Sequence, residues 1–223
     1  MNALTTASEA DDLGQLLVEN KGASLRVANT GTIDPYVSLW GERPLVKQGR
    51  KFLHPAFKGS NTALESRKAL FKSPKIVVAK MALRCEAFLD SDGGFAGIDV
   101  NTVYNPSGGY TLEFLIGYMH FDVAAFCHRL FFKGLAMAGG YLPFQAPHLR
   151  VLPIPDLSAA GGKDLQERVE RAVGRILVTG VPSEADLAEV NAACAEFHGL
   201  SAKELADILS ALGEATEATE VDG

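Results

Sequence analysis

The sequence predicts an α/β protein of the α+β kind: a mixed sheet with packed helices, followed by a small α-helical unit. Three observations lead there. Short β-branched and apolar runs punctuated by Gly and Pro fill residues 25–105. Leu112, Leu115, Ile116, Met119, Val123 and Phe126 then recur at helical spacing. From Lys163 onward the periodicity is helical throughout, and the chain turns acidic.

The elements follow in order. Residues 1–20 are polar and acidic around LGQLLV, a short helical lead-in. SLRVANTGTIDPYVSLW, broken by Gly31 and Pro35, predicts two short strands around a turn. NTALESRKALF has helical composition, with Asn61 or Thr62 as its cap. KIVVAKMALRCEAFLD reads as a strand, SDGG as a turn and FAGIDVNTVY as a second strand, so the pair predicts a hairpin. TLEFLIGYMHFDVAAFCHRLFFKG predicts one helix ending at Gly134. Next, MAGGYLPFQAPHLRVLPIP combines Gly139-Gly140 with four prolines, the composition of a constrained extended segment.

In DLQERVERAVGRILVTG, Leu165, Val169, Val173, Ile176 and Leu177 share a face. Ser183 with Asp186 and Ser201 with Glu204 mark two capped helix starts. The expected organisation is a lead-in at 1–24, partly disordered, a body at 25–155, helices at 156–212 and a disordered acidic tail at 213–223.

The 47% hydrophobic content suffices for a core. The most apolar region, Phe114 to Phe132, carries His120, Asp122, His128 and Arg129, so no membrane span is expected. Cys85, Cys127 and Cys194 lie far apart without a CxxC, and the N-terminus lacks a secretory pattern. Both point to a cytoplasmic protein. The net charge of −6 is unevenly spread: Asp156–Gly223 holds five Lys/Arg against fourteen Asp/Glu. Gly41–Arg84 holds eleven basic residues against Glu42 and Glu65, interleaved with Phe52, His54, Phe57 and Phe71. Such a run is either a solvated face or a surface that meets phosphate.

No phosphate-cradling Gly loop and no GxSxG elbow occurs. The five histidines form no HxxxH pair, so core or interface roles are expected for them, with no metal. Asn105-Pro106-Ser107-Gly108 has the place but not the Pro-aromatic ending of an adenine amino-methyltransferase motif, and reads as a turn. No catalytic residue and no cofactor site is expected.

Taken in order, PKIVVAKMALRCEAFLD, FAGIDVNTVYN, TLEFLIGYMHFDVAAFCHRLFFKG and MAGGYLPFQAPHLRVLPIP resemble the C-terminal target-recognition (specificity) domain of TaqI-like adenine-N6 DNA methyltransferases and related restriction–modification enzymes. GTIDPYVSLWG resembles its entry, and EVNAACAEFHGLSAKEL the helical end of those enzymes. The likeness spans about residues 25–210 and rests on colinear order. Two departures stand out: YMHFD replaces the usual Leu-Asn-Ser, and Asn191 replaces an Asp. The catalytic half of those enzymes has no counterpart here.

The resemblance implies DNA target recognition in a restriction–modification system, with a separately encoded methyltransferase or restriction subunit as partner. Two alternatives are a detached methyltransferase fragment and a non-enzymatic protein-interaction regulator on the same fold. As a recognition module, the chain would contact phosphates through Lys47, Lys51, Lys58, Lys68, Lys72, Lys75 and Lys80. Arg50, Arg67, Arg84, Gln145, His148 and Arg150 are the candidates for reading bases. The acidic helices would repel DNA and pack on the body or on a protein partner.

Overall fold

The computed structural model describes the backbone of residues 2–3 and 7–221, with side chains from 11 to 213. The chain opens with β1 (Asn2–Ala3), α1 (Ala7–Gln15), β2 (Leu17–Glu19) and β3 (Arg26–Ala28). β4 (Ile33–Asp34) pairs with β5 (Val37–Ser38) across Pro35–Tyr36, as the Pro35 break predicts. β6 (Leu45–Lys47) pairs with β7 (Arg50–Phe52) across Gln48–Gly49. Then come β8 (Pro55–Phe57), α2 (Thr62–Phe71), β9 (Lys75–Ala79), β10 (Met81–Ala82), β11 (Ala87–Asp90), β12 (Phe95–Gly97) and β13 (Val100–Val103).

The second half holds α3 (Leu112–Met119), α4 (Asp122–Phe132), β14 (Leu142–Pro143) and α5 (Ala146–Leu149). It ends with α6 (Gly162–Thr179), α7 (Glu184–Phe197) and α8 (Ala202–Val221). The protein is of the α+β class.

Two units emerge: Met1–Lys80 with Glu86–Asn105, and Met81–Cys85 with Pro106–Gly223. The expected boundary at Pro155 is therefore displaced. α3 packs on α6, so the acidic helices complete the second unit instead of forming their own. Gly117 permits that approach, because a Cβ there would lie 2.5 Å from Val169 Cγ1.

In the first unit, β1-β13-β9-β11 form one antiparallel sheet. β12-β3-β8-β2 form another, with β12 parallel to β3. All five β9 residues are buried, which explains the unbroken apolar run IVVA. Leu17, Val27, Leu45, Phe71, Val77 and Phe95 share the core.

The expected hairpin across SDGG does not form. KIVVAKMALRCEAFLD folds back on itself as β9 and β11, and β12 leaves for the other sheet. β13, from the second expected strand, does pair antiparallel with β9. Lys75 and Asp90 are paired at the end of the β9–β11 ladder. Asp90 accepts from Gly94 N (2.9 Å) and Phe95 N (3.0 Å), which turns the chain away.

In the second unit, the single helix expected from Thr111 to Gly134 is broken. Phe121 is extended (ψ 133°) and separates α3 from α4. Asn191 fills the break: its Oδ1 accepts from Asp122 N at 3.0 Å, and its Nδ2 donates to the Asp122 carboxylate. The two departures from the resembled pattern thus meet in one reciprocal pair. Arg84 donates to the same carboxylate.

Met137–Pro155 is not one extended segment either. It contains a 3-10 turn at Ala138–Gly140 (Gly139 φ 76°, Gly140 φ 71°), β14 paired with β10, and α5. The closing prolines are anchored through their carbonyls, which accept from Tyr118 OH (Pro153) and from Tyr110 OH at 2.7 Å (Pro155).

The capping expectations hold. Asn61 Oδ1 accepts from Leu64 N, Ser183 Oγ from Asp186 N, and Ser201 and Glu204 bond reciprocally. Leu177 departs from its expected face and is 37% exposed. α8 runs on to Val221 where a disordered tail is expected from 213; Asp222, Gly223, Met1 and residues 4–6 lie outside the described residues. Among the described residues, no helix is long and apolar enough to cross a membrane.

Candidate functional site

The basic run of Gly41–Arg84 does not survive folding as one cationic face. At least six of its eleven cations hold carboxylates. Arg43 lies 3.6 Å from Asp34, Lys68 3.1 Å from Glu65, and Lys47 3.4 Å from Asp11 and 3.0 Å from Asp99. Asp99 also takes Lys80 at 3.7 Å. Arg84 is bound to Asp122 and belongs to the second unit.

Lys75 is a correction. It is wholly buried, paired with Asp90, and its Nζ also donates to Phe71 O at 2.6 Å and Ser73 O at 3.2 Å. It closes the end of α2 and reaches no phosphate. Burial pushes its pKa below the ordinary lysine value, with Asp90 opposing. The assignments of Lys47, Lys68, Lys80 and Arg84 weaken for a related reason, since a cation held by a carboxylate must give up that partner to bind phosphate.

Lys51, Lys58 and Lys72 are exposed and make no ion pair among the described residues. Arg50 is exposed, and makes two contacts that orient it. Its Nη2 donates to Leu17 O at 3.0 Å, and its guanidinium lies 4.6 Å from the Phe52 ring centroid. Both residues of the β6–β7 turn take left-handed angles, Gln48 at φ 52° and Gly49 at φ 74°. That is the turn whose twist matches a two-residue hairpin. Gln48 is exposed at the turn and Arg50 and Lys51 are exposed on β7, where strand alternation sends these two to opposite faces of the ribbon. Gln48 is absent from the expected contacts, although Gln-Gly between LVK and RKF was the legible signal for the turn. Arg67 is half-buried on α2.

In the field of Asp34 and Arg43, Glu86 has its carboxyl pushed up to about 7, first by burial and then by the charge of Asp34.

Gln145, His148 and Arg150 belong to the second unit, around α5. Gln145 and Arg150 are exposed; His148 is half-buried, its ring 4.7 Å from that of Phe132. Phe132 also meets His128 at 4.8 Å, and His128 stacks on Phe144 at 4.1 Å and 7°. Pro143 O can only accept, so His128 Nε2 donates to it (3.0 Å), leaving Nδ1 buried without a hydrogen-bond partner. Burial chiefly, and then the field of His148, pushes His128 down to about 4. Burial pushes His120 down to about 4 as well. These histidines pack the core, in line with the sequence reading.

Stability should consequently fall as pH drops from about 6.5 towards about 4. The unfolded chain takes up its histidine protons at the upper end of this window and the folded protein only at the lower end. Melting temperatures across the window read this. His128→Phe should flatten the slope relative to the parent, and equal slopes would contradict the assignment.

Among the described residues, no group of three or more His, Cys, Asp or Glu is placed to hold a metal ion. No protein-family model matches the chain, and no curated protein matches it.

Proposed function

We propose that the chain is a DNA target-recognition module that lends sequence specificity to a separately encoded adenine-N6 DNA methyltransferase or nuclease. The β6–β7 ribbon carries this reading. A two-stranded ribbon fits the major groove of a duplex, where Arg matches guanine and Gln matches adenine through paired hydrogen bonds. The exposed residues Gln48 and Arg50 supply those two chemistries, and Lys51, on the other face of β7, supplies a phosphate contact. Lys58 and Lys72 add exposed positive charge in the same unit. In this reading, methyl transfer or strand cleavage belongs to the partner polypeptide.

Binding to a mixed-sequence duplex, followed by anisotropy as salt is raised, tests the proposal. Affinity should fall linearly on a log–log plot. Lys51→Ala should reduce the slope by about 1, and Arg50→Ala should relax sequence preference by about 1–3 kcal/mol. Lys68→Ala, whose cation is already on Glu65, should leave the slope near its parent value. Salt-indifferent binding, or none, defeats the reading.

A further inference from the structure

Arg26 opens β3 in the first unit and is half-buried. Its guanidinium lies 4.0 Å from the Phe95 ring centroid and 5.9 Å from that of Trp40. Both rings are themselves held. Trp40 Nε1 donates to Pro55 O at 2.9 Å and its ring meets His54 edge-on at 4.9 Å, while Phe95 packs against Phe88 at 4.9 Å. Stacking engages the flat faces of a guanidinium and leaves its N–H donors, which lie in the plane, for a ligand. Among the described residues those donors meet no carboxylate and no other acceptor, and none of the nitrogens is sealed from solvent.

Gly94 makes the room for this head group. A Cβ there would lie 2.7 Å from Arg26 Nη2, and its other near neighbours are also atoms of that guanidinium. Asp92, in the same turn, accepts from Ser91 Oγ at 3.1 Å and makes no ion pair with Arg26. An oriented arginine with unused donors suits an oxyanion, and phosphate matches its fork through paired hydrogen bonds.

Position selects the source of that phosphate. Arg26 stands opposite Ala56 on β8, and β8 follows the β6–β7 ribbon through Leu53-His54. From Arg50 to Ala56 the chain spans at most about 20 Å. A major groove is about 12 Å wide with a phosphate backbone along each side. Arg26 thus lies at the foot of the ribbon, on the scale at which a groove gives way to its flanking strands.

We propose that Arg26 binds a backbone phosphate of the duplex whose groove receives the ribbon. The inference rests on the DNA reading and adds to it a contact that fixes register without reading sequence.

Trp40 is the chain's single tryptophan, so its fluorescence reports on this site. Titration with a mixed-sequence duplex should change Trp40 emission. Arg26→Met keeps an apolar chain against Phe95 and removes the charge. It should weaken duplex binding about tenfold at low salt. It should also lower the salt slope by about 1, equally for every sequence tested. Gly94→Ala should weaken binding to a similar degree although the charge remains, because the head group is displaced. Unchanged circular dichroism and melting verify that both variants fold. Parent-like affinity and slope in both variants overturn the proposal and leave the ribbon reading in place, whereas a parent that binds no duplex overturns both. Relaxed sequence preference in Arg26→Met, the result expected of Arg50→Ala, assigns Arg26 to a base and overturns the proposal too. Micromolar binding of inorganic phosphate that the duplex does not displace assigns the site to a free anion, with the same consequence.

Discussion

Replacing Lys75 by methionine should destabilise the protein by about 3–5 kcal/mol, the range for breaking a buried ion pair by removing one partner. The methionine side chain fills similar space, but Asp90 would remain buried without its cation. The carbonyls of Phe71 and Ser73 would also lose a donor where α2 ends. Asp90 in turn organises the β11–β12 connection through Gly94 N and Phe95 N, so the damage should reach both sheets of the first unit. Urea unfolding of the full chain reads the loss. A change below about 1 kcal/mol would mean that the pair contributes little beyond what its desolvation takes away.

Gly93→Ala should be nearly as damaging, for a steric reason at the same junction. Gly93 has φ 68°, and a Cβ there would lie 2.2 Å from Lys72 O, a backbone atom that cannot rotate aside. Left-handed strain combined with a forced shift of α2 against the 91–94 turn puts the expected loss at about 3 kcal/mol or more. Gly49→Ala is the matched control. Its φ of 74° is similar, but nothing lies within 4 Å of the added methyl, so about 1–2 kcal/mol is expected from backbone strain alone. Equal losses at the two glycines would show that conformation, and not the Lys72 contact, dominates at Gly93.

Local chemistry was legible where it is self-contained. Asn61, Ser183 and Ser201 cap their helices because a side-chain oxygen and an amide three residues on need no distant help. The β-branched residues at the start of KIVVAKMALRCEAFLD announced a strand for a similar reason, although β9 takes only Lys75–Ala79 of it. The break between α3 and α4 was not legible, since the amide of Asp122 is satisfied by Asn191, 69 residues away. Nor was the absent hairpin at SDGG. Turn composition permits a reversal there, yet it says nothing about which sheet receives the next strand.

The candidate site divides in the same way. Residue types pointed to a cationic surface, and Arg50 and Lys51 do stand exposed on β7, but the Gln48-Gly49 turn that makes a ribbon of β6 and β7 was not among the expectations. Summing charges along Gly41–Arg84 overstated the cationic surface, because Asp11, Asp34, Asp90, Asp99 and Asp122 lie outside that interval and are folded against it.

By itself, then, the sequence determined the α+β class and the capped starts of α2, α7 and α8. Only the tertiary structure decided where the units divide, which lysines remain exposed and which apolar residues stay in water. The reason is range: caps and periodicity are settled within a few residues, whereas ion pairing and burial depend on groups brought together from far along the chain.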